Sequence, residues 1–296
     1  MIWIIGNQGM LGKELSDRCE AQGIRFVGTD REVTILELDA LRHYATAVRQ
    51  SGEKLKWIIN CAAYTAVDKA EDEPERCVAL NVRGPQNIGS IAHEIGARVL
   101  HISTDYVFSG DNTRPYREDD PVAPIGVYGK SKAEGEMLLL GLCPDAIIVR
   151  TAWLYGKYGP NFVATMLKLM NTRDSVGVVA DQKGSPTWAR DLADAILTIV
   201  RTPNARAGIY HFTDEGEITW FEFAKEIYAQ GRRLGLIAHE CQVHPLTTSE
   251  YPTKAVRPAY SVLSKEKIKA TFGVLVPQWQ ESLSRFLAEA AQRRWQ

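Results

Sequence analysis

Tyr128 and Lys132 stand four positions apart in Tyr128-Gly129-Lys130-Ser131-Lys132. On a helix, positions i and i+4 share one face, so a phenol and an ammonium there point the same way. A phenol with an ordinary pKa of about 10 is a weak acid or base at neutral pH. A nearby ammonium, joined by the positive charge of an oxidised nicotinamide, would stabilise the phenolate and bring that pKa down. Lys132 also reaches far enough to hold a nicotinamide ribose. The spacing alone is common on exposed helices, so its context carries the weight. Upstream, Ser103-Thr104-Asp105 closes an apolar run. Thr104 offers a hydroxyl donor to a substrate carbonyl and Asp105 a carboxylate to a polyol, unless the two merely cap a turn.

The second chemical signal is Gly6-Asn7-Gln8-Gly9-Met10-Leu11-Gly12, which follows a first apolar run and opens a helix. Glycine permits the positive φ of a tight turn, lets a pyrophosphate approach the backbone and lets helix and strand pack closely. A strand before the motif and a helix after it are the context that dinucleotide binding demands. Gly6, Gln8, Gly9, Met10, Leu11 and Gly12 are therefore expected to touch the cofactor. The choice of cofactor stays open at this point. Asp30, ending the second apolar run, would bond the adenosine ribose hydroxyls and favour NADH, whereas Arg31 beside it would hold a 2′-phosphate and favour NADPH. Leu38 and Asp39, where the next helix begins, are expected to border the same cofactor, with Asp39 as a plausible N-cap.

These residues need a scaffold, and the first half of the chain supplies its pattern. Near-continuous apolar runs at 2–5, 25–29, 57–60, 99–103 and 147–150 alternate with helical stretches. Runs of that kind suit parallel strands covered on both faces. The fold class is thus α/β: a Rossmann-like, doubly wound parallel sheet with ligands at the carboxyl ends of its strands. Residues 1–150 form the expected nucleotide-binding domain. Residues 151–296 form a mainly substrate-binding part, some of whose segments return to the first. Helices are expected there at 161–170, 188–200, 220–230, 265–271 and 278–292, with short strands at 176–180 and 208–212. Thr219 and Glu222 have capping-box spacing. The acidic run Glu71-Asp72-Glu73-x-Glu75 reads as a solvated helix start.

Composition narrows the function classes. A net charge of -1 over 296 residues gives no electrostatic reason to expect nucleic acid or an anionic membrane as partner. No run approaches the roughly 20 apolar residues of a membrane span, and the N-terminus lacks a signal-peptide pattern. Five scattered cysteines without Cys-x-x-Cys spacing read as reduced core thiols of a cytoplasmic protein. The six histidines form no His-x-x-x-His pair, and no metal site is visible.

Taken together the motifs resemble the extended short-chain dehydrogenase/reductase superfamily and, within it, the dTDP-4-dehydrorhamnose reductase family. The narrower likeness rests on the stretches 60–71, 103–108, 127–132, 150–155 and 181–187, and on Tyr251-Pro252-Thr253 and Arg257-Pro258. It covers nearly the whole chain in order. The resemblance implies hydride transfer from NADPH or NADH to C4 of dTDP-4-keto-L-rhamnose. Tyr128 would protonate the alkoxide, Thr104 would bond the same oxygen and Lys132 would tune the phenol. Ala62, Ala63 and Tyr64 would line the cofactor. Asp105, Tyr106, Trp153 and Gln182 would meet the sugar, and Arg257 the nucleotide diphosphate. Trp153 as plain core, Gln182 as a loop hydrogen bond and Arg257 as a surface ion pair are the plainer alternatives.

Two other function classes remain in view. The same family includes a regulatory subunit of methionine adenosyltransferase, although intact Thr104, Tyr128 and Lys132 favour an enzyme. A reductase, epimerase or dehydratase of another nucleotide sugar is the other, and Thr104-Asp105-Tyr106 lacks the second acid common in dehydratases. Some family members dimerise through magnesium held by glutamates of three helices. Here Glu14 and Glu289 match two of those places but Arg190 occupies the third, so a magnesium bridge is not expected and the chain is a monomer or a homodimer.

Overall fold

Residues 1–293 are described by a computed structural model. Strands β1 (Ile2–Ile5), β2 (Phe26–Thr29), β3 (Trp57–Asn60), β4 (Arg98–Thr104) and β5 (Ile147–Thr151) lie in one parallel sheet. The strand Gly208–His211, from the second half of the chain, completes it. The spatial order is Gly208–His211, β5, β4, β3, β1, β2. The chain winds one way from β1 to β2 and the other way from β3 through β5, so the crevice of a doubly wound sheet opens beyond β1 and β3.

Alternation along β1 shows how the layers form. Ile2 and Ile4 pack with Leu11, Leu15 and Leu192 on one face, where helix α1 (Met10–Ala21) and the helix Ala189–Arg201 lie. Trp3 and Ile5 pack with Leu41, Ile88 and Leu139 on the other, under helix α2 (Leu38–Gln50) and the helices Gly84–Ile95 and Val127–Leu142. Every residue of β1, β3 and β5 is buried, which is why these strands read as apolar runs without alternation. A separate core holds the second half together, with Met166, Trp188, Phe223, Ile227 and Phe286 among its members. The capping box of Thr219 and Glu222 forms at the start of the helix Trp220–Arg233.

Several boundaries differ from expectation for visible reasons. β4 and β5 run one residue further, through Thr104 and Thr151, because those residues pair across the sheet. Trp188 belongs to a short strand with Thr187, paired to Leu154–Tyr155, so the following helix starts at Ala189. Helix α2 starts at Leu38; Asp39 lies within its first turn and pairs with Arg42 instead of capping. The acidic run is not simply solvated. Glu71 Oε1 accepts a bond from the Val127 N–H at 2.9 Å, and Glu73 Oε2 accepts one from the Tyr64 hydroxyl at 3.0 Å. Among the described residues, no helix is long and apolar enough to cross a membrane.

The strongest polar tie in the core joins β5 to the helix Val127–Leu142. Arg150 and Glu136 are 1% and 4% exposed and make a forked pair, with Arg150 Nη2 2.6 Å and Nε 2.9 Å from the carboxylate. Deleting one partner strands the other charge in the core, which costs about 3–5 kcal/mol. Glu136→Ala is therefore expected to lower the unfolding free energy by about that amount in a denaturant titration; a loss under about 1 kcal/mol would show that Arg150 finds solvent.

Candidate active site

A cleft of about 960 Å³ opens at the carboxyl ends of the parallel strands. Its inner end is the glycine turn. Gly6 has φ +78°, a conformation that disfavours any side chain, and a Cβ on Gly12 would lie 2.1 Å from the Gly6 carbonyl oxygen. The turn thus exists only with glycine at both places. Helix α1 begins just after Gly9 with no side chain capping it, which leaves its first N–H groups directed at the cleft. This uncapped, Cβ-free cradle fits a dinucleotide pyrophosphate. Gly6, Gln8, Gly9, Met10 and Leu11 line the cleft, as do Asp30 and Arg31. Gly12 acts one layer behind, by allowing the close packing.

The reacting end is built where the helix Val127–Leu142 crosses the end of β4. A Cβ on Gly129 would stand 2.1 Å from the Tyr106 carbonyl oxygen, so glycine lets the helix press onto the turn after β4. Tyr128 then lies edge-on to Tyr106, with ring centroids 5.5 Å apart. Thr104 Oγ1 donates to Asp105 Oδ1 at 2.9 Å and accepts from the Tyr106 N–H at 3.2 Å. Lys132, 2% exposed, donates to the Ile102 carbonyl at 2.7 Å and lies 3.2 Å from His101 Nε2. Thr104, Asp105, Tyr106, Tyr128 and Lys132 all border the one cleft.

Desolvation dominates the electrostatics there. It pushes the Asp105 carboxyl up to about 6, against bonds from Ser261 and Thr104 that pull it back. It brings the Lys132 amine down to about 8, opposed by the Glu136 carboxylate. The Tyr128 phenol moves upward, not downward: burial outweighs the stabilising Thr104 hydroxyl. The lowering expected from Lys132 together with an oxidised nicotinamide does not arise from the protein's own groups, among which burial dominates. The phenol therefore stays protonated and becomes a weaker acid than a free tyrosine, so its proton passes only to a stronger base such as an alkoxide.

The remaining expected site residues divide into three groups. Ala62, Ala63 and Tyr64 line the cleft after β3, and Trp153 lines it opposite. Trp153 has φ +47°, rare for a bulky residue, and stacks on Trp220 with centroids 3.5 Å apart. Gln182 and Arg257 do not form the wall. Gln182 Nε2 donates to Thr248 Oγ1 at 3.0 Å, and Arg257 stands behind Tyr106, bonded to its hydroxyl at 3.0 Å and to Asp68 at 2.6 Å. Leu38 and Asp39 are also outside the wall, because the chain after β2 bends into the cleft earlier, at Val33–Leu36. Thr34 and Arg76 line the cleft without having been foreseen. Neither sits in a motif, and only the fold brings Arg76 round to the Tyr64 ring, 6.0 Å from its centroid.

Arg190 decides the magnesium question. Its Nε donates to Glu14 Oε1 at 2.7 Å, and its Nη1 pairs with Glu289. The guanidinium holds the two carboxylates that would have to ligate a cation, so the donor set does not fit magnesium. The monomer-or-homodimer expectation gains no bridge from it.

A doubly wound sheet, a glycine cradle and a Tyr-x-x-x-Lys helix meeting Thr104 in one cleft define the class of extended short-chain dehydrogenases and reductases. Within that class a sequence model described as the RmlD substrate binding domain matches residues 1–292, and the chain belongs to this family. A dTDP-4-dehydrorhamnose reductase of Aggregatibacter actinomycetemcomitans is 45% identical over 237 residues, covering 79% of this chain and 81% of its relative. Another, of Streptomyces griseus, is 41% identical over 95% of this chain and 91% of its own length. A crystal structure of dTDP-4-dehydrorhamnose reductase from Bacillus anthracis in complex with NADP superposes with a TM-score of 0.90 at 37% identity, covering 97% of this chain and 98% of the other.

Proposed function

We propose that this chain reduces the C4 keto group of dTDP-4-dehydrorhamnose with NADPH, giving dTDP-L-rhamnose. The observation that carries the reading is the convergence of Thr104, Tyr128 and Lys132 on a cleft continuous with the glycine cradle. Relatives of that name matching at 41–45% identity supply the substrate. The reduced nicotinamide, when bound, supplies the hydride. Tyr128, its phenol held protonated by burial, gives its proton to the oxygen that becomes an alkoxide. Thr104 turns its hydroxyl from Asp105 to the same oxygen, and Asp105 is then free to accept from a sugar hydroxyl. Lys132 would hold the nicotinamide ribose. Trp153 and Tyr106 give the sugar flat walls, while Arg257 fixes the Tyr106 hydroxyl. Gln182 acts at one remove by tethering Thr248.

Arg31 tips the cofactor toward NADPH in this reading: it is exposed at the cleft edge, where a 2′-phosphate gains a charge-assisted bond. The relative solved with NADP supports the same choice.

The test is NADPH oxidation by the purified protein supplied with dTDP-4-dehydrorhamnose. Tyr128→Phe is expected to bind NADPH normally and lose turnover by about a hundredfold or more, the scale of a general acid. Normal turnover in that variant would remove Tyr128 from the mechanism, and no oxidation by the wild type would remove the substrate. Arg31→Ala is expected to shift the NADPH-over-NADH ratio of kcat/KM by about tenfold toward NADH. An unchanged ratio would leave the phosphate preference without Arg31.

A further inference from the structure

A polar chain runs behind the active-site lysine, away from the cleft. Asn60 ends β3, and His101 sits beside it on β4 in the register of the parallel pair. Both are buried, at 1% and 0% exposure. His101 interrupts the apolar segment Val99-Leu100-His101-Ile102 at a place where an aliphatic side chain would suit the core. Asn60 Oδ1 accepts the Ala62 N–H at 3.0 Å. Asn60 Nδ2 lies 2.9 Å from His101 Nδ1, and His101 Nε2 lies 3.2 Å from Lys132 Nζ.

The donor inventory gives this chain a direction. The Ala62 N–H can only donate, so it fixes the Asn60 amide with its oxygen toward Ala62 and its nitrogen toward the ring. An amide nitrogen donates, so His101 Nδ1 accepts. A neutral imidazole then carries its proton on Nε2 and aims it at Lys132. The ring is held neutral, its pKa well below the ordinary histidine value through burial and the nearby lysine. At the end of the chain only an amine lone pair can receive the Nε2–H, while Lys132 still donates to the Ile102 carbonyl. An ammonium there has no acceptor to offer His101.

We propose that His101, keyed by Asn60, is a positioning residue that fixes Lys132 and stabilises its amine form, so that the Lys132 ammonium is acidic enough to pass its proton toward Tyr128 during turnover. The proton balance is simple: the ammonium becomes an amine, the tyrosinate left by each reduction becomes a phenol again, and solvent later restores the ammonium. Other titratable groups facing Lys132 do not compete for this role. Cys61 and Cys77 are pushed up by burial and stay thiols. Glu136 is engaged by Arg150, and Tyr128 lies one turn away on the same helix.

This inference rests on the reductase reading, but its first test does not. Long-range 1H–15N correlation on the wild-type protein reports the tautomer of each of the six histidines, and His101 is the signal lost in His101→Gln. The expected result is a neutral His101 with the proton on Nε2, unchanged from about pH 6 to about pH 9. A charged ring, or a proton on Nδ1, would overturn the proposal even if the protein turns over its substrate. The second test reverses the chain. In Asn60→Asp the side chain only accepts, so His101 should move its proton to Nδ1 and present a lone pair to Lys132. The ammonium is then favoured, and the basic limb of the kcat–pH profile is expected to rise by about one unit or more, a tenfold change in proton affinity. His101→Gln, which can still accept from Asn60 and donate to Lys132, should keep kcat within about threefold of the wild type. A flipped tautomer with an unmoved limb would make His101 structural only. A wild type without turnover but with the Nε2–H ring would sink the reductase reading and leave the hydrogen-bond chain standing.

Discussion

One face of a single helix carries Tyr128, Lys132 and Glu136 on successive turns, and the cleft depends on how that face is pressed to the sheet. At the first turn Gly129 meets the Tyr106 carbonyl with no room for a Cβ. At the second, Lys132 donates to the carbonyl of Ile102 on β4. At the third, Glu136 locks onto Arg150 of β5 inside the core. The three contacts fix rotation and height of the helix together, because a shift that relieves one breaks the others. A phenol and an amine held this way lose little freedom when a substrate arrives, which is where orientation contributes to rate.

Burial, rather than charge pairing, sets the chemistry of the site. Desolvation moves Tyr128 and Asp105 up and Lys132 down, so each is biased toward its neutral form. A cleft of neutral donors and acceptors suits a reaction in which charge appears only on the carbonyl oxygen. The opposite choice is made one turn further along α1 from the cleft wall. There Arg190 spans Glu14 and Glu289, so three helices are tied by an arginine that lies within the chain itself.

Much of this was legible in the sequence because the physics was local. The apolar runs marked the five first strands, the glycine spacing marked the turn, and Tyr128 with Lys132 needed only a helix between them. Thr104 was found by its place at the end of an apolar run. What could not be read arose from tertiary encounters. Nothing near Arg76 or Thr34 signals that the chain folds them into the cleft wall. After β2 it is Val33–Leu36, ahead of Leu38 and Asp39, that reaches the cleft wall. Gln182 and Arg257 carry suitable chemistry but spend it on Thr248, Tyr106 and Asp68. The upward shift of Tyr128 in the protein's own field comes from burial, which the spacing of Tyr and Lys does not reveal. His101 reads as one more strand residue until β3, β4 and the helix are assembled.

The central claim is that the cleft delivers hydride to C4 of the sugar while Tyr128 supplies the proton to its oxygen. The most direct measurement uses NADPH deuterated at both C4 positions of the dihydronicotinamide and locates the label in the product by NMR. The account predicts deuterium on C4 of the sugar ring, with the hydroxyl proton drawn from the protein and solvent. Deuterium at another carbon, or a product that carries none, would contradict it.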